Sequence, residues 1–465
     1  MPDPRGQSAA RQELDLQAEG MSSRAIFTII SNNYSAYATT LMASVREVEP
    51  DCDTFVCLVD EEIGDPARFG EGVTVVRAVD LGIDQFQDMA LRYDVMELNT
   101  SVKPFMFLHL LEKEGYDQAI YMDPDTWLIE RLADVDDRIA TGASAVLTPH
   151  LLAPLEDALM PDDHAILKSG VYNLGFAAFS NKAEARDFLK WWSHKLRFQG
   201  QSDIPNNLFT DQRWCDMAPC FMEKLAILRH PGHNVAYWNL ANRQVRALPN
   251  GTFEVDGHPL VFFHFSGLVR SEPKLVSKHQ NRLQWQDLGS LQPLFQSYRA
   301  ALESHGWASD QARSYAYGTR NGLKIGAPIR SLYRKLYPDR QAMAELDRDF
   351  LLRLCNQPVQ QDLSRDGLIM TELMLHVHES RPDLQAAFPF GTLRGIKAYV
   401  RWFEQTAGRE YGLDEAVTQQ AQIAGHRHSR LSDAAVPPVP NAGRSRPYRL
   451  WRKWRKSFLN FQARF

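Results

Sequence analysis

The chain has 465 residues, 44% hydrophobic and 23% charged, with a net charge of −5. That length accommodates two or three domains, the composition is ordinary for a packed globular chain, and no apolar run approaches the roughly 20 residues of a membrane-spanning helix. Five cysteines (Cys52, Cys57, Cys215, Cys220, Cys355) follow no zinc or redox spacing, which excludes a cysteine-built metal module and points to free thiols in a reducing compartment.

Residues 1–20 are polar and lack the apolar stretch of a signal peptide, so residues 1–23 are expected to be disordered, with Met21 a candidate start. Arg24–Ile30 reads as a strand, followed by a polar turn and a helix over residues 36–45. Residues 54–59 and 73–79 read as further strands. A helix over 103–111 carries Pro104 at its start, where proline is tolerated. Residues 119–122 form a fourth strand and 145–147 a fifth, then short apolar segments at 176–179, 226–228 and 260–263. Between the last three, residues 183–196 read as a helix with a Phe188, Leu189 and Trp192 core stripe. Strands alternating with helices imply an α/β fold with a mostly parallel, doubly wound sheet. Beyond about residue 290 the segments 351–354, 368–377 and 396–403 read as helices without strands. The expected organisation is therefore an α/β domain over 24–285, a helical region over 286–435, a Pro-rich linker over 436–446 and a tail helix over 447–465.

That tail is strongly basic. From Arg444 onward there are eight Lys or Arg and no acid, so with a total of −5 the remainder carries about −13. On a helix Trp451, Trp454, Phe458, Phe461 and Phe465 share one face. An aromatic face with a basic flank suits an anionic membrane surface, which implies a cytoplasmic protein lying peripherally on the inner face of the membrane. No nucleic-acid partner is expected.

The most informative tetrapeptide is Asp123-Pro124-Asp125-Thr126, directly after the apolar Ala119-Ile120-Tyr121-Met122. Two carboxylates one residue apart at a strand end can share one divalent cation, and hard oxygen ligands suit Mg²⁺ or Mn²⁺. Ligands gather beyond the carboxyl ends of strands in open α/β sheets. The same pattern at Asp51/Asp53, Asp134/Asp136 and Asp347/Asp349 sits in polar, turn-like or helical surroundings and reads as solvated surface. Thr28-Ile29-Ile30-Ser31-Asn32-Asn33-Tyr34 supplies small polar groups and a stacking ring at a strand end. Lys103 lies near a helix start, where a cation can meet phosphate oxygens. Asn173-Leu174-Gly175, Asp211-Gln212 and His264-Phe265-Ser266-Gly267 complete the set. The remaining histidines and the Trp191-Trp192 pair suggest nothing beyond structure.

In these motifs the chain resembles the family 8 glycosyltransferases, retaining enzymes that use nucleotide-sugar donors, often UDP-linked, and whose GT-A fold implies a Rossmann-like, mostly parallel doubly wound sheet with a smaller second sheet, here followed by the helical region. The resemblance covers roughly residues 25–281. The Asn-Tyr turn is Asn33-Tyr34, the Asp-x-Asp is Asp123-Pro124-Asp125, the Asn-x-Gly is Asn173-Leu174-Gly175 and the Asp-Gln is Asp211-Gln212. The closing His-x-x-Gly-x-x-Lys-Pro reads His264 to Ser271, with arginine for lysine and no proline. The resemblance implies that Asp123, Asp125 and His264 coordinate Mn²⁺ (or Mg²⁺), and that Tyr34 stacks on the uracil while Thr28, Ser31 and Asn33 meet the nucleoside. It further implies that Lys103, Arg270 and Gly267 meet the diphosphate, and that Asn173, Asp211 and Gln212 hold the donor sugar and its reacting face. The implied reaction is hexose transfer, with retention, to a glycan or glycolipid acceptor. A fainter likeness over 277–282, 381–384 and 398–403 to helical regions of bacterial polysaccharide transferases implies an acceptor-side or assembly role. Two rival readings stand beside it. A sugar-nucleotide nucleotidyltransferase needs a Gly-rich basic loop that residues 28–34 lack, and a non-catalytic glycan-binding scaffold has no use for an intact acid pair and His264.

Overall fold

The structure, a computed structural model, describes residues 23–62, 64–338, 346–359 and 368–428. The expected N-terminal disorder, apart from Ser23, the Pro-rich linker and the basic tail helix lie outside those residues. The chain divides into two compact units, Met1–Tyr317 and Gly318–Phe465.

The first unit is built on a seven-stranded sheet of order β10-β6-β7-β4-β1-β2-β3. Its strands are β1 (Arg24–Ile30), β2 (Asp53–Leu58), β3 (Val73–Arg77), β4 (Gln118–Met122), β6 (Ala145–Pro149), β7 (Tyr172–Ser180) and β10 (Leu225–Ile227). The β1–β2, β2–β3, β1–β4 and β6–β10 pairs are parallel, whereas β7 runs antiparallel to both β4 and β6. Both faces of the sheet are covered, so its strands read as near-continuous apolar runs. Ala25, Phe27 and Ile29 point to one core, shared with Phe107, Phe179 and Trp192. Ile26 and Ile30 point to the other, shared with Leu41, Met42 and Val45 of the helix Ser35–Val48. Phe188, Leu189 and Trp192 of the helix Ala183–Gln199 are buried core, as expected. Each such fully buried large side chain contributes about 1.5–3 kcal/mol.

A second, smaller sheet follows the acid pair. In it β5 (Thr126–Leu128) pairs antiparallel with β15 (Phe262–His264), which pairs parallel with β11 (Val235–Ala236). Minor ribbons pair β8 (Ser202–Asp203) with β9 (Leu208–Phe209), and β12 (Val245–Ala247) with β13 (Phe253–Val255) and β14 (His258–Pro259). The fold class is thus the expected mixed α/β architecture.

The first unit runs past the expected boundary at residue 285. Leu288, Leu291, Leu294, Phe295, Tyr298, Leu302 and Trp307 close a third core over Phe263, Phe265, Ala36 and Tyr37. The rings of Phe265 and Tyr298 stack with centroids 3.9 Å apart. The helix Gln292–Ser304 therefore belongs to the first unit, because its apolar stripe is what covers the second sheet. The second unit is helical, with Ala327–Leu336, Arg348–Asn356, Glu372–Ser380 and Leu393–Trp402 among its elements.

Candidate functional site

The turn between β4 and β5 is the centre of the site. Asp123 donates its N–H to the carbonyl of Gly175 (2.8 Å), and Thr126 bonds back to the Asp123 carbonyl with its N–H (3.1 Å) and hydroxyl (2.7 Å). Asp125 accepts from the N–H of Phe265 (2.7 Å), and the β5–β15 register sets His264 opposite Thr126. Backbone bonds thus bring residues 123, 125 and 264 together. His264 Nε2 lies 3.0 Å from Asp125 Oδ1 and 3.6 Å from Asp123 Oδ2.

The electrostatics fit a cation. The Asp123 side chain keeps 27% of its area exposed yet is walled by protein, and that partial desolvation raises its pKa above the ordinary carboxylate value against the lowering effect of Lys103 and His264. Burial by itself lowers the pKa of His264, but the charges of Asp125 and Asp123 outweigh it and hold the imidazole above its usual value. Two carboxylates and one imidazole crowded this way form a donor set for a divalent ion, and the imidazole favours Mn²⁺ over Mg²⁺. Gly175 makes the room. A Cβ there would lie 2.4 Å from His264 Cε1, 2.7 Å from Asn173 Oδ1 and 2.8 Å from Asp123 Oδ2. Gly175→Ala should therefore displace His264 and Asp123, two of the three candidate ligands, and weaken any Mn²⁺ binding at this trio. Titrating the variant with Mn²⁺ checks this, and an unchanged affinity would show that the close approach is not needed.

Tyr34 closes one side. Its ring is 40% exposed and stacks on Tyr37 with centroids 4.9 Å apart, so one face is covered. Crowding of its hydroxyl, with Asp125 and Asp123 nearby, pushes its pKa up to about 12. The loop before it is held in part by two groups the sequence did not single out, Asp60 and Asn99. Asp60 accepts from the N–H of Asn32 (2.6 Å) and of Ala316 (2.9 Å). Ser31 donates to Asn33 Oδ1 (2.8 Å) and accepts from Asn99 (3.3 Å). Thr28 departs from expectation. It is fully buried inside β1 on the side of Ile26 and Ile30, so it does not meet a nucleoside.

Four other expected contacts are already engaged. Lys103 is buried, with Nζ 2.5 Å from Asp211 Oδ2 and 2.7 Å from the Leu174 carbonyl, so it is an internal ion-pair partner and not a free phosphate cation. Asp211 is correspondingly spent on Lys103 and on the Thr210 hydroxyl (3.1 Å). Gln212 accepts from the Leu174 N–H (3.0 Å) and donates to the Ser169 carbonyl (2.9 Å), which commits both ends of its amide to the backbone around β7. Arg270 is exposed and paired with Glu303 at 2.7 Å. Gly267 does need to be glycine. Its φ is +80°, and a Cβ would lie 2.4 Å from Ser277 Oγ and 2.6 Å from His279 Cδ2. Lys278 donates its N–H to the Gly267 carbonyl (3.0 Å), so residues 277–279 fold back onto the glycine. Tyr237 and Trp238 also border the site. The Trp238 ring meets His264 edge-on at 5.0 Å, and burial together with Asp125 raises Tyr237 to about 12. None of these carries a sequence pattern, since each is a single residue in a loop.

Among the described residues a second trio, Asp134, His230 and His233, also brings potential ligand atoms within 4.8 Å of one another. Hydrogen bonding explains it without an ion. His230 Nδ1 accepts from the Gly232 N–H (3.1 Å), which leaves its proton on Nε2, the nitrogen 3.9 Å from Asp134. His233 Nε2 lies 3.1 Å from the same carboxylate. Asp134 is therefore engaged by imidazoles and is not the idle surface acid expected. Asp136 pairs with Arg24 at 2.5 Å, Asp53 accepts from the Tyr116 hydroxyl (2.7 Å), and Asp347 caps the helix Arg348–Asn356.

No protein-family model matches the chain. Two proteins of Bacillus subtilis (strain 168) are similar in sequence. The uncharacterized protein YfnD is 25% identical over 272 residues, covering 57% of this chain and 83% of its own. The uncharacterized protein YfnF is 21% identical over 244 residues, covering 52% and 80%. Among solved structures, the galactosyltransferase LgtC in complex with donor and acceptor sugar analogues overlaps 60% of this chain and 95% of its own, at TM-score 0.38 and 14% identity. The glycosyltransferase GlyE of Streptococcus pneumoniae TIGR4 overlaps 65% and 67%, at TM-score 0.36 and 14% identity. Overlaps this loose identify neither fold family nor function.

Proposed function

We propose that the chain is a metal-dependent glycosyltransferase that moves a hexose from a nucleotide sugar, UDP-linked, to a glycan or glycolipid acceptor with retention at the anomeric carbon. The observation that carries the reading is the meeting of Asp123, Asp125 and His264 beside a glycine whose missing side chain lets His264 and Asp123 come this close. Those three residues would hold Mn²⁺, which when bound neutralises charge on a departing diphosphate.

The chain's own groups supply the rest. Tyr34, backed by Tyr37, offers its uncovered ring face to a base, and Asp60 fixes the loop that carries it. Gly267 seats residues 277–279, which puts Lys278 beside it in the chain fold, and Arg270 is available to a diphosphate once its exposed pairing with Glu303 opens. Such an exposed pair is worth only about 0.2–1 kcal/mol, so opening it costs little. Asn173, Asp211 and Gln212 act here by shaping the floor under the donor sugar, since their polar ends are engaged within the protein. The basic tail, on sequence grounds alone, would bring the site to a glycolipid acceptor at an anionic membrane surface.

A thermal-shift screen of nucleotide sugars tests the reading. A ligand bound only by the native state stabilises it by about 2.7 kcal/mol at 100 times its Kd. UDP-sugars with Mn²⁺ should raise the melting temperature, and UDP-sugars without Mn²⁺ should not. A panel in which no nucleotide sugar shifts the protein in either condition would end the proposal.

A further inference from the structure

Behind the three metal-ligand candidates runs a chain of buried hydrogen bonds whose members come from four strands or their ends. His150 Nε2 is 3.1 Å from Asn173 Nδ2. Asn173 Oδ1 accepts from the Gly175 N–H (3.1 Å) and from Asn234 Nδ2 (2.9 Å). Asn234 Nδ2 also donates to the Thr148 hydroxyl (2.9 Å), and Asn234 Oδ1 lies 3.3 Å from His264 Nδ1. All five side chains are buried.

The donors and acceptors allow only one consistent direction. The Gly175 N–H can only donate, which makes the Asn173 oxygen the acceptor and its NH₂ the group facing His150. Because that oxygen is an acceptor, the Asn234 NH₂ must face it, and the Asn234 oxygen must face His264. His264 Nδ1 therefore meets an acceptor, and a ring that gives Nε2 to a cation keeps its proton on Nδ1, where the Asn234 oxygen accepts it. A ligating imidazole is oriented in this way by the partner of its other nitrogen.

We infer that Asn234 is a positioning residue that fixes the ring orientation of His264 by accepting its Nδ1–H, with Asn173, Thr148 and His150 holding Asn234 in turn. Asn173 thereby acts on the site through His264 and not on a sugar hydroxyl. The backbone of Asn234 has φ +51°, a conformation that asparagine tolerates better than most residues. Its carbonyl accepts from Asn239 Nδ2 (2.9 Å), so the turn is held independently of the Asn234 side chain. The proposal rests on the metal reading above only for its consequence. The hydrogen bond between Asn234 and His264 is itself a property of the metal-free chain.

Two measurements on the full chain separate the two. Without metal, at mildly acidic pH where the ring carries both protons, selective ¹⁵N-histidine spectra should show the His264 Nδ1–H protected from solvent exchange in the wild type. In Asn234→Gly, which keeps the backbone conformation but removes the amide, that proton should exchange freely. Mn²⁺ alone should bind Asn234→Gly about 10–100-fold more weakly than wild type, the usual cost of removing an outer-shell partner. An Nδ1–H equally protected in both proteins, or the same Mn²⁺ affinity in both, overturns the inference. A wild-type chain with the protected Nδ1–H that binds no Mn²⁺ overturns the transferase reading instead and leaves the hydrogen-bond assignment standing.

Discussion

Asp125→Asn should abolish Mn²⁺-dependent sugar transfer while leaving the metal-free protein folded. Asparagine matches aspartate in shape, and the backbone carbonyl of residue 125, which holds the Phe265 N–H at 2.7 Å, is untouched. What disappears is a charge 3.0 Å from His264 Nε2, in a site where Asp123 is already hard to ionise. A cation left with one carboxylate and one imidazole loses affinity. A metal stabilising transition-state charge contributes several kcal/mol; at about 1.4 kcal/mol per factor of ten, the loss is roughly 10²–10⁴-fold in rate. The melting temperature without metal should stay near the wild-type value, and the rise on adding Mn²⁺ should vanish. A variant that keeps most of its turnover and its Mn²⁺ shift would remove the metal from the mechanism.

The acid pair was legible because its signal is local. A run of apolar residues broken by Asp-Pro-Asp marks a strand end whatever the rest of the chain does. His264 was legible for the same reason, as a polar residue terminating residues 260–263. Strand direction was not, because a buried strand has the same apolar pattern whichever way it runs, and β7 proves antiparallel to both neighbours. The second sheet was expected from the family resemblance and not from local pattern, since strands of two or three residues show no periodicity.

Partnership between distant residues was the other hidden layer. Lys103 and Asp211 were each noticed and assigned to the donor, yet they are 108 positions apart and bind each other. Asn234 is one asparagine in a loop, and its importance comes only from what surrounds its amide. Asp60 carries no motif of its own, yet it holds the Tyr34 loop. His230 and His233 had been read as structural, and their engagement with Asp134 fits that reading while removing Asp134 from the idle surface acids. In each case the residue type was visible and its partner was not.

Lys103→Met should therefore cost folding stability first and donor binding only second. Lys103 enters from the start of the helix Lys103–Leu108, and its Nζ meets Asp211 at 2.5 Å and the Leu174 carbonyl at 2.7 Å. It also sits 4.1 Å from the centroid of the Tyr121 ring, whose hydroxyl donates to Asp123 at 2.5 Å. Removing one partner of a buried pair leaves the other charge uncompensated, which costs about 3–5 kcal/mol. Replacing both, as Lys103→Met with Asp211→Leu, removes that penalty, and much of the stability should return because apolar substitutes for buried pairs are often neutral. The loss of the Lys103 charge also raises the pKa of Asp123 further, so Mn²⁺ affinity falls in the double variant even where stability recovers. Urea unfolding of the three metal-free proteins measures the first effect, and Mn²⁺ titration measures the second. If Lys103 instead served the donor phosphates, the single variant would unfold at the wild-type urea concentration and lose only nucleotide-sugar affinity.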